Sequence, residues 1–112
     1  MKVTLTDQED ITVVEVVGDI DSKTAPEFER SARQATDQNE KIAIDLTAVE
    51  FMSSAGLRVL LMVYRNIKAQ NGKVVLAGVS EDIQDVMSTT GFINFFTIVG
   101  TTGEALSILK QS

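Results

Sequence analysis

Apolar and polar residues near the N-terminus follow the two-residue period of β-strands. Val3 and Leu5 alternate with polar neighbours, and residues 11–17 (ITVVEVV) are rich in β-branched side chains. The acidic stretch at residues 7–10 separates the two segments and has the composition of a turn. This pattern predicts an antiparallel hairpin that ends at Gly18.

Further along the chain the apolar period lengthens to that of amphipathic helices. The strongest helical pattern follows Ser53 and Ser54, where large apolar residues recur every three or four residues and basic side chains are left for the solvent-exposed face. Asn71 and Gly72 are expected to end this helix, because both residues tolerate the left-handed conformation. Three weaker patterns predict helices from Thr24 to about Gln38, after Ser80 and after Thr101.

Polar residues at the helix starts predict how each first turn is capped. Thr24 with Glu27, and Thr101 with Glu104, have the spacing of a capping box, while Ser80 is a single N-cap residue. Two packing expectations complete this reading. The third helix should bury Ile83, Val86 and Met87, and the end of the core should be covered by Phe92, Phe95 and Phe96.

Short apolar runs between the helices predict three more strands, at residues 41–46, 73–77 and 97–99. Strands that alternate with helices are joined by right-handed crossovers and form a mostly parallel sheet. We therefore predict an α/β fold: one domain over residues 1–112, with a mixed, mostly parallel sheet. An N-terminal antiparallel hairpin begins the sheet, and about four helices cover it.

Composition narrows the classes of function. The chain of 112 residues has a net charge of −6, so we expect no nucleic-acid or anionic-membrane partner. It contains neither Cys nor His, the residues most used for metal binding and general base catalysis, so we expect no metal, cofactor, small-molecule substrate or enzymatic activity. No apolar core of a signal peptide follows Met1, and we expect a cytoplasmic location.

The sequence places its most informative segment between a buried strand and the strongest helix. In α/β sheets, functional residues gather where strands end and helices begin. Ser53 and Ser54 stand at the predicted helix N-terminus, where free backbone N–H groups and the helix dipole favour an anion. A phosphate on Ser54 would carry about −1.5 to −2 charges at neutral pH and would suit this position. The alternative is that the serine pair only caps the helix.

Residues 45–57 (DLTAVEFMSSAGL) resemble the STAS signature of bacterial anti-sigma factor antagonists. Residues 18–21 (GDID) resemble a second, shorter motif of the same family, and the order of elements also agrees. The resemblance implies the STAS fold over essentially the whole chain. The long motif carries most of the assignment, because the short one is common.

Transferred position by position, the resemblance puts the family's phosphorylated serine at Ser54, with Ser53 as second choice. Asp21 matches a family residue near the partner-binding surface; alternatively it is a turn or capping carboxylate before Thr24. The chain departs from the common pattern at Ser53, where many members have Asp, at Ala55, and at Arg58, where many have Gly. The partner-binding residues that the resemblance implies are Asp21, Ser53, Ser54, Ala55, Gly56, Leu57 and Arg58.

The resemblance also implies partners and a switch. In its unphosphorylated form the protein would bind a serine kinase/anti-sigma factor of the histidine-kinase-like ATPase fold and release the sigma factor. Phosphorylation by that kinase would end the interaction, and a PP2C-type phosphatase would reset it. The charge and composition alone do not point to any of these partners.

Two other readings compete with the partner switch. An enzyme would need a base near Ser54, and in a chain without His only Asp21, Asp45 or a Lys is available. The second reading is a STAS binding module of another regulatory or lipid-transport complex, without a sigma-factor output. Sequence does not choose between this module and the sigma-factor pathway.

Overall fold

A computed structural model describes residues 1–111, and its strands form one five-stranded sheet in the order β1-β2-β3-β4-β5. Ser112, the last residue of the predicted domain, lies outside the described residues. The strands are β1 (Lys2–Gln8), β2 (Ile11–Val17), β3 (Lys41–Ala48), β4 (Lys73–Ala77) and β5 (Thr97–Val99). The helices are α1 (Ala25–Gln38), α2 (Ser54–Ala69), α3 (Glu81–Thr90) and α4 (Thr102–Lys110), with a 3₁₀ turn at Phe92–Phe95.

The pairing of the strands confirms the predicted mixed sheet. β1 and β2 form the antiparallel hairpin, and every later neighbour pairs in parallel through a helical crossover. The strand predicted at residues 41–46 continues to Ala48, because Ala48 still pairs with Val17 after a bulge in the β2–β3 ladder.

Helices cover both faces of the sheet, but unequally. α1, α2 and α3 contribute to the larger core, which includes the fully buried Phe28 and Leu60. α4 alone packs on the opposite face, where Leu109 lies in a smaller cluster with Val75 of β4. All the parallel strands except the short β5 therefore have buried positions on both faces, which explains their nearly continuous apolar runs.

The structure confirms two predicted caps and corrects a third. Ser80 accepts a hydrogen bond from the Ile83 N–H at 3.2 Å, and Thr101 accepts one from the Glu104 N–H at 3.1 Å. The capping box predicted at Thr24 is wrong, since the Thr24 hydroxyl makes no bond to the first turn of α1. The hydroxyl donates instead to a backbone carbonyl of the preceding loop. The turn before the helix therefore uses the side chain that would otherwise cap α1.

Helix α3 buries a narrower stripe than its apolar pattern predicts. Ile83 and Met87, four residues apart, are buried, whereas Val86 is 44% exposed. The prediction for Val86 is wrong, because α3 packs against the core along a single i, i+4 line.

The aromatic residues after α3 divide between core and surface. Phe92 and Phe96 pack against the core, as predicted. Phe95 is 45% exposed, and its ring centroid lies 5.1 Å from that of Tyr64 on α2. Phe95 therefore covers the outside of α2 and not the end of the core.

Candidate functional site

The loops that follow β2 and β3 are joined by backbone hydrogen bonds at the carboxyl edge of the sheet. The Ile20 N–H donates to the Phe51 carbonyl at 3.0 Å, and the Ser53 N–H donates to the Ile20 carbonyl at 2.8 Å. Ile20 and Met52 form an isolated parallel bridge between these bonds. The bridge brings Asp21, which follows Ile20, to the same edge as the start of α2.

Gly56 allows the first turn of α2 to lie directly on this bridge. A Cβ atom at Gly56 would be 2.6 Å from Cγ of Met52 and 2.8 Å from Cγ2 of Ile20. Real side-chain atoms do not approach this closely, so a larger residue would push the helix start away from the loop. The glycine of the motif is thus explained by helix packing.

Ser54 is the first residue of α2 and is exposed. Its hydroxyl makes no hydrogen bond to any of residues 1–111. An accessible, unbonded hydroxyl at a helix N-terminus is a suitable acceptor for a transferred phosphate, because the free N–H groups of the first turn favour the resulting charge.

Ser53 occupies the N-cap position of α2 but does not cap it through its side chain. Its Oγ is buried and has no hydrogen-bond partner among the described residues. The alternative reading, in which the serine pair only caps the helix, is therefore wrong for the Ser53 side chain. Its backbone is engaged instead, through the N–H that donates to Ile20 and the carbonyl that accepts from Leu57. The two adjacent serines differ in access, and Ser54 offers the free hydroxyl.

This difference predicts a contrast between two N-cap serines. Ser53→Ala should change the free energy of unfolding by less than about 0.5 kcal/mol, because it removes a buried hydroxyl without a partner. Ser80→Ala should lower it by about 1 kcal/mol, because it removes the acceptor of the Ile83 N–H. Urea unfolding of both variants measures the difference, and equal losses would show that the Ser53 hydroxyl has a stabilising partner.

Asp21 holds the turn that precedes α1. Its carboxylate accepts hydrogen bonds from the backbone N–H groups of Thr24 at 3.0 Å and Lys23 at 2.9 Å, and this confirms the alternative reading as a turn carboxylate. These bonds, that of Thr24 first, lower the pKa of Asp21 below its ordinary value because they stabilise the ionised form. Asp21 therefore contributes a fixed negative charge beside the start of α2.

The other partner-binding residues that the resemblance implies differ in how deeply they are buried. Arg58 is exposed and Ala55 half-buried, whereas Gly56 and Leu57 are buried beneath them. Ala55 and Arg58 line one wall of a groove of about 320 Å³ whose other wall is α1, with Pro26 at its start. The buried pair supports this surface from below, and Arg58 is the exposed residue of the four.

Sequence reasoning did not select Phe51, which the structure leaves 53% exposed three residues before Ser54. The neighbouring apolar residues Val49 and Met52 are both buried, so Phe51 is the one apolar side chain of this loop that faces solvent. The sequence offered one signal for Phe51: it falls outside the apolar periods that predict strands and helices. Exposed aromatic residues are common anchors of protein interfaces.

The site has no features of a metal centre. Within residues 1–111 no group of three or more acidic, His or Cys side chains is arranged to hold a metal ion. In the same range no helix has the length and apolar character needed to cross a bilayer.

The fold and the motif at the start of α2 define a protein of the STAS class. The STAS domain family profile matches residues 2–105, and the chain belongs to that family. This confirms the resemblance found in residues 18–21 and 45–57.

Several proteins similar to this chain are named as anti-sigma factor antagonists. The chain is 33% identical over 91 residues to the anti-sigma-B factor antagonist of Listeria monocytogenes, covering 80% of this chain and 79% of that protein. The crystal structure of an anti-sigma factor antagonist from Mycobacterium paratuberculosis has 28% identity and a TM-score of 0.87, with 97% and 93% of the two chains covered. The Bacillus protein SpoIIAA shares the fold in its phosphorylated form, at 19% identity and a TM-score of 0.76, with 95% and 97% covered.

Proposed function

We propose that this protein is an anti-sigma factor antagonist that works in the cytoplasm as a phosphorylation-switched binding module. Unphosphorylated at Ser54, it binds a serine kinase/anti-sigma factor of the histidine-kinase-like ATPase fold and thereby releases a sigma factor. The kinase then phosphorylates Ser54 and the complex separates, and a PP2C-type phosphatase restores the binding form. The observation that carries this proposal is the exposed, unbonded hydroxyl of Ser54 at the first position of α2.

The geometry favours a local electrostatic switch and not a change of fold. A phosphate on the first residue of α2 lies at the positive end of the helix dipole, where it stabilises the helix modestly. The same phosphate places about two negative charges in the middle of the binding surface, next to the ionised Asp21. Binding is lost because a close interface must either desolvate this charge or provide cations for it.

The contact surface that we propose is centred on Ser54. Phe51 supplies an exposed aromatic anchor, and Arg58 supplies a cation on the rim of the groove. Ser53 and Ala55 complete the helix start, and Ser53 is the less suitable phosphoacceptor because its Oγ is buried. The surface binds another protein and carries out no reaction of its own.

The names of the relatives support this class of function. The Listeria protein is named for antagonism of an anti-sigma factor, and SpoIIAA has a structure in a phosphorylated form. The two alignments cover 80% and 95% of this chain, and each therefore includes the start of α2.

Capture from lysate of the source organism tests the proposal. Wild type, Ser54→Ala, Ser54→Asp and Ser107→Asp are immobilised, and the retained proteins are identified by mass spectrometry. Ser107 is an exposed serine of α4 on the other face of the sheet, so Ser107→Asp adds the same charge away from the site. We expect a kinase-fold anti-sigma factor to be retained by all variants except Ser54→Asp.

Two results would count against the proposal. Retention of the same proteins by Ser54→Asp as by wild type would show that charge at this position does not control binding. Retention of a membrane ATPase complex in place of a soluble kinase would assign the chain to lipid transport, a different role of STAS domains.

A further inference from the structure

Arg58 is a cation without an ion pair, located one helical turn after Ser54. Its side chain is exposed, and it forms no salt bridge with any of residues 1–111. The carboxylate across the groove, Glu29, is already paired with Arg33, with Nε and Oε2 3.1 Å apart. Arg58 is also the only charged residue in the first two turns of α2.

We propose that Arg58 binds the phosphate of phosphorylated Ser54 within the same chain, and so acts as the positioning residue of the switch. This inference rests on the proposed function, because it needs a phosphate at Ser54. It assigns Arg58 a role in the phosphorylated state in addition to its place on the free binding surface.

The helix itself sets the distance between the two groups. Residues at i and i+4 have Cβ atoms about 5–6 Å apart on one face, which a phosphoserine and an arginine side chain can span together. The acidic group precedes the basic one, and this is the favourable order with respect to the helix dipole. A guanidinium also matches phosphate oxygens through two parallel N–H donors.

The surroundings of Ser54 make this one cation important. The flanking loops and α1 present mainly carboxylates, which oppose a phosphate, so Arg58 has few competitors as its counter-ion. The charged side chains of the flanking loops are Asp19, Asp21, Lys23 and Glu50. Helix α1 carries Glu27, Glu29, Arg30, Arg33 and Asp37, and of these only Glu29 lines the groove beside Arg58.

The pairing gives phosphorylation two effects on the binding surface. It adds negative charge at Ser54, and it removes Arg58 from the groove rim, where the unphosphorylated protein offers this cation to its partner. A partner that uses an acidic group to contact Arg58 therefore loses an attraction at the same moment that it meets a repulsion.

The test installs phosphoserine at position 54 during translation, so that no kinase is required. The phosphate is titrated by ³¹P NMR in the full chain for wild type, Arg58→Gln, Arg58→Lys and Arg65→Gln. Arg65 is the matched control, an exposed arginine of α2 two turns farther from Ser54. Circular dichroism confirms that each variant is folded.

We expect the second pKa of the phosphate, ordinarily about 6, to be about 0.3–0.6 unit higher in Arg58→Gln than in wild type, because the dianion loses its counter-ion. Arg58→Lys should restore part of the difference, since it keeps the charge but not the bidentate geometry. Arg65→Gln should match wild type.

Equal pKa values in wild type and Arg58→Gln would overturn the proposal, as would an equal shift in Arg65→Gln, which would indicate a general charge effect. These results are independent of any partner. Failure of the proposed function would appear instead as capture results that do not depend on Ser54, whatever the phosphate titration gives.

Discussion

Phosphorylation of Ser54 is expected to weaken binding of the kinase-fold partner by at least about 100-fold, which corresponds to about 2.7 kcal/mol. Ser54 lies between Phe51 and Arg58 along the chain, and all three residues are exposed, so a phosphate there would fall inside the proposed contact surface. Like charges brought together in an interface cost several kcal/mol. Calorimetric titration of the captured partner into phosphorylated and unphosphorylated protein measures the loss.

Two controls separate charge from shape at this site. Ser54→Ala should remain within a few-fold of wild type, because the hydroxyl has no bond to lose within residues 1–111. Ser107→Asp should also bind normally. Weak binding by Ser54→Ala would mean that the hydroxyl itself is a contact, and equal binding by the phosphorylated form would end the switch hypothesis.

Gly78→Ala is expected to lower the free energy of unfolding by about 3 kcal/mol, the sum of two separate costs. Gly78 has φ +69°, a left-handed conformation that strains residues with a side chain. A Cβ at this position would also contact the Thr47 hydroxyl and lie 2.9 Å from Cβ and 3.0 Å from Cα of Thr47. Thr47 cannot easily move away, because its hydroxyl and its N–H both donate to Asp45.

Gly91→Ala is the matched control for this stability effect. Gly91 has a similar φ of +81°, but a Cβ there would meet nothing within 4 Å. It should lose only about 1–2 kcal/mol, the strain of the left-handed conformation alone. Denaturant unfolding of both variants gives the difference, and equal losses would show that Thr47 and its loop yield to the added methyl group.

The apolar period of the sequence predicted the helices and strands because each depends on neighbours in the chain. The alternation around Val3 and Leu5 and the apolar spacing after Ser54 both match the observed elements. The family motif likewise pointed to Ser54, and the helix start at that residue is a local property. Local signals of this kind need no knowledge of the packed chain.

Side-chain partners at the same positions were not predictable in this way. Thr24 and Ser53 have the right type and position for caps, but each hydroxyl is committed elsewhere or buried. Val86 fits the apolar stripe of α3 but faces solvent. In each case the outcome depends on which surface of the element meets the rest of the fold.

The sequence by itself therefore determined the class of fold and the serine pair, Ser53 and Ser54, at which α2 begins. Only the tertiary structure decided that the Ser54 hydroxyl is open while the Ser53 hydroxyl is buried, and that Phe51 is exposed. It also decided that the bridge between Ile20 and Met52 brings Asp21 to the edge where α2 begins. The physical reason is that the two kinds of feature depend on residues at different distances along the chain. Helix and strand formation is governed by residues within a few positions, whereas burial and access depend on contacts between segments about 30 residues apart, which exist only after the chain has folded.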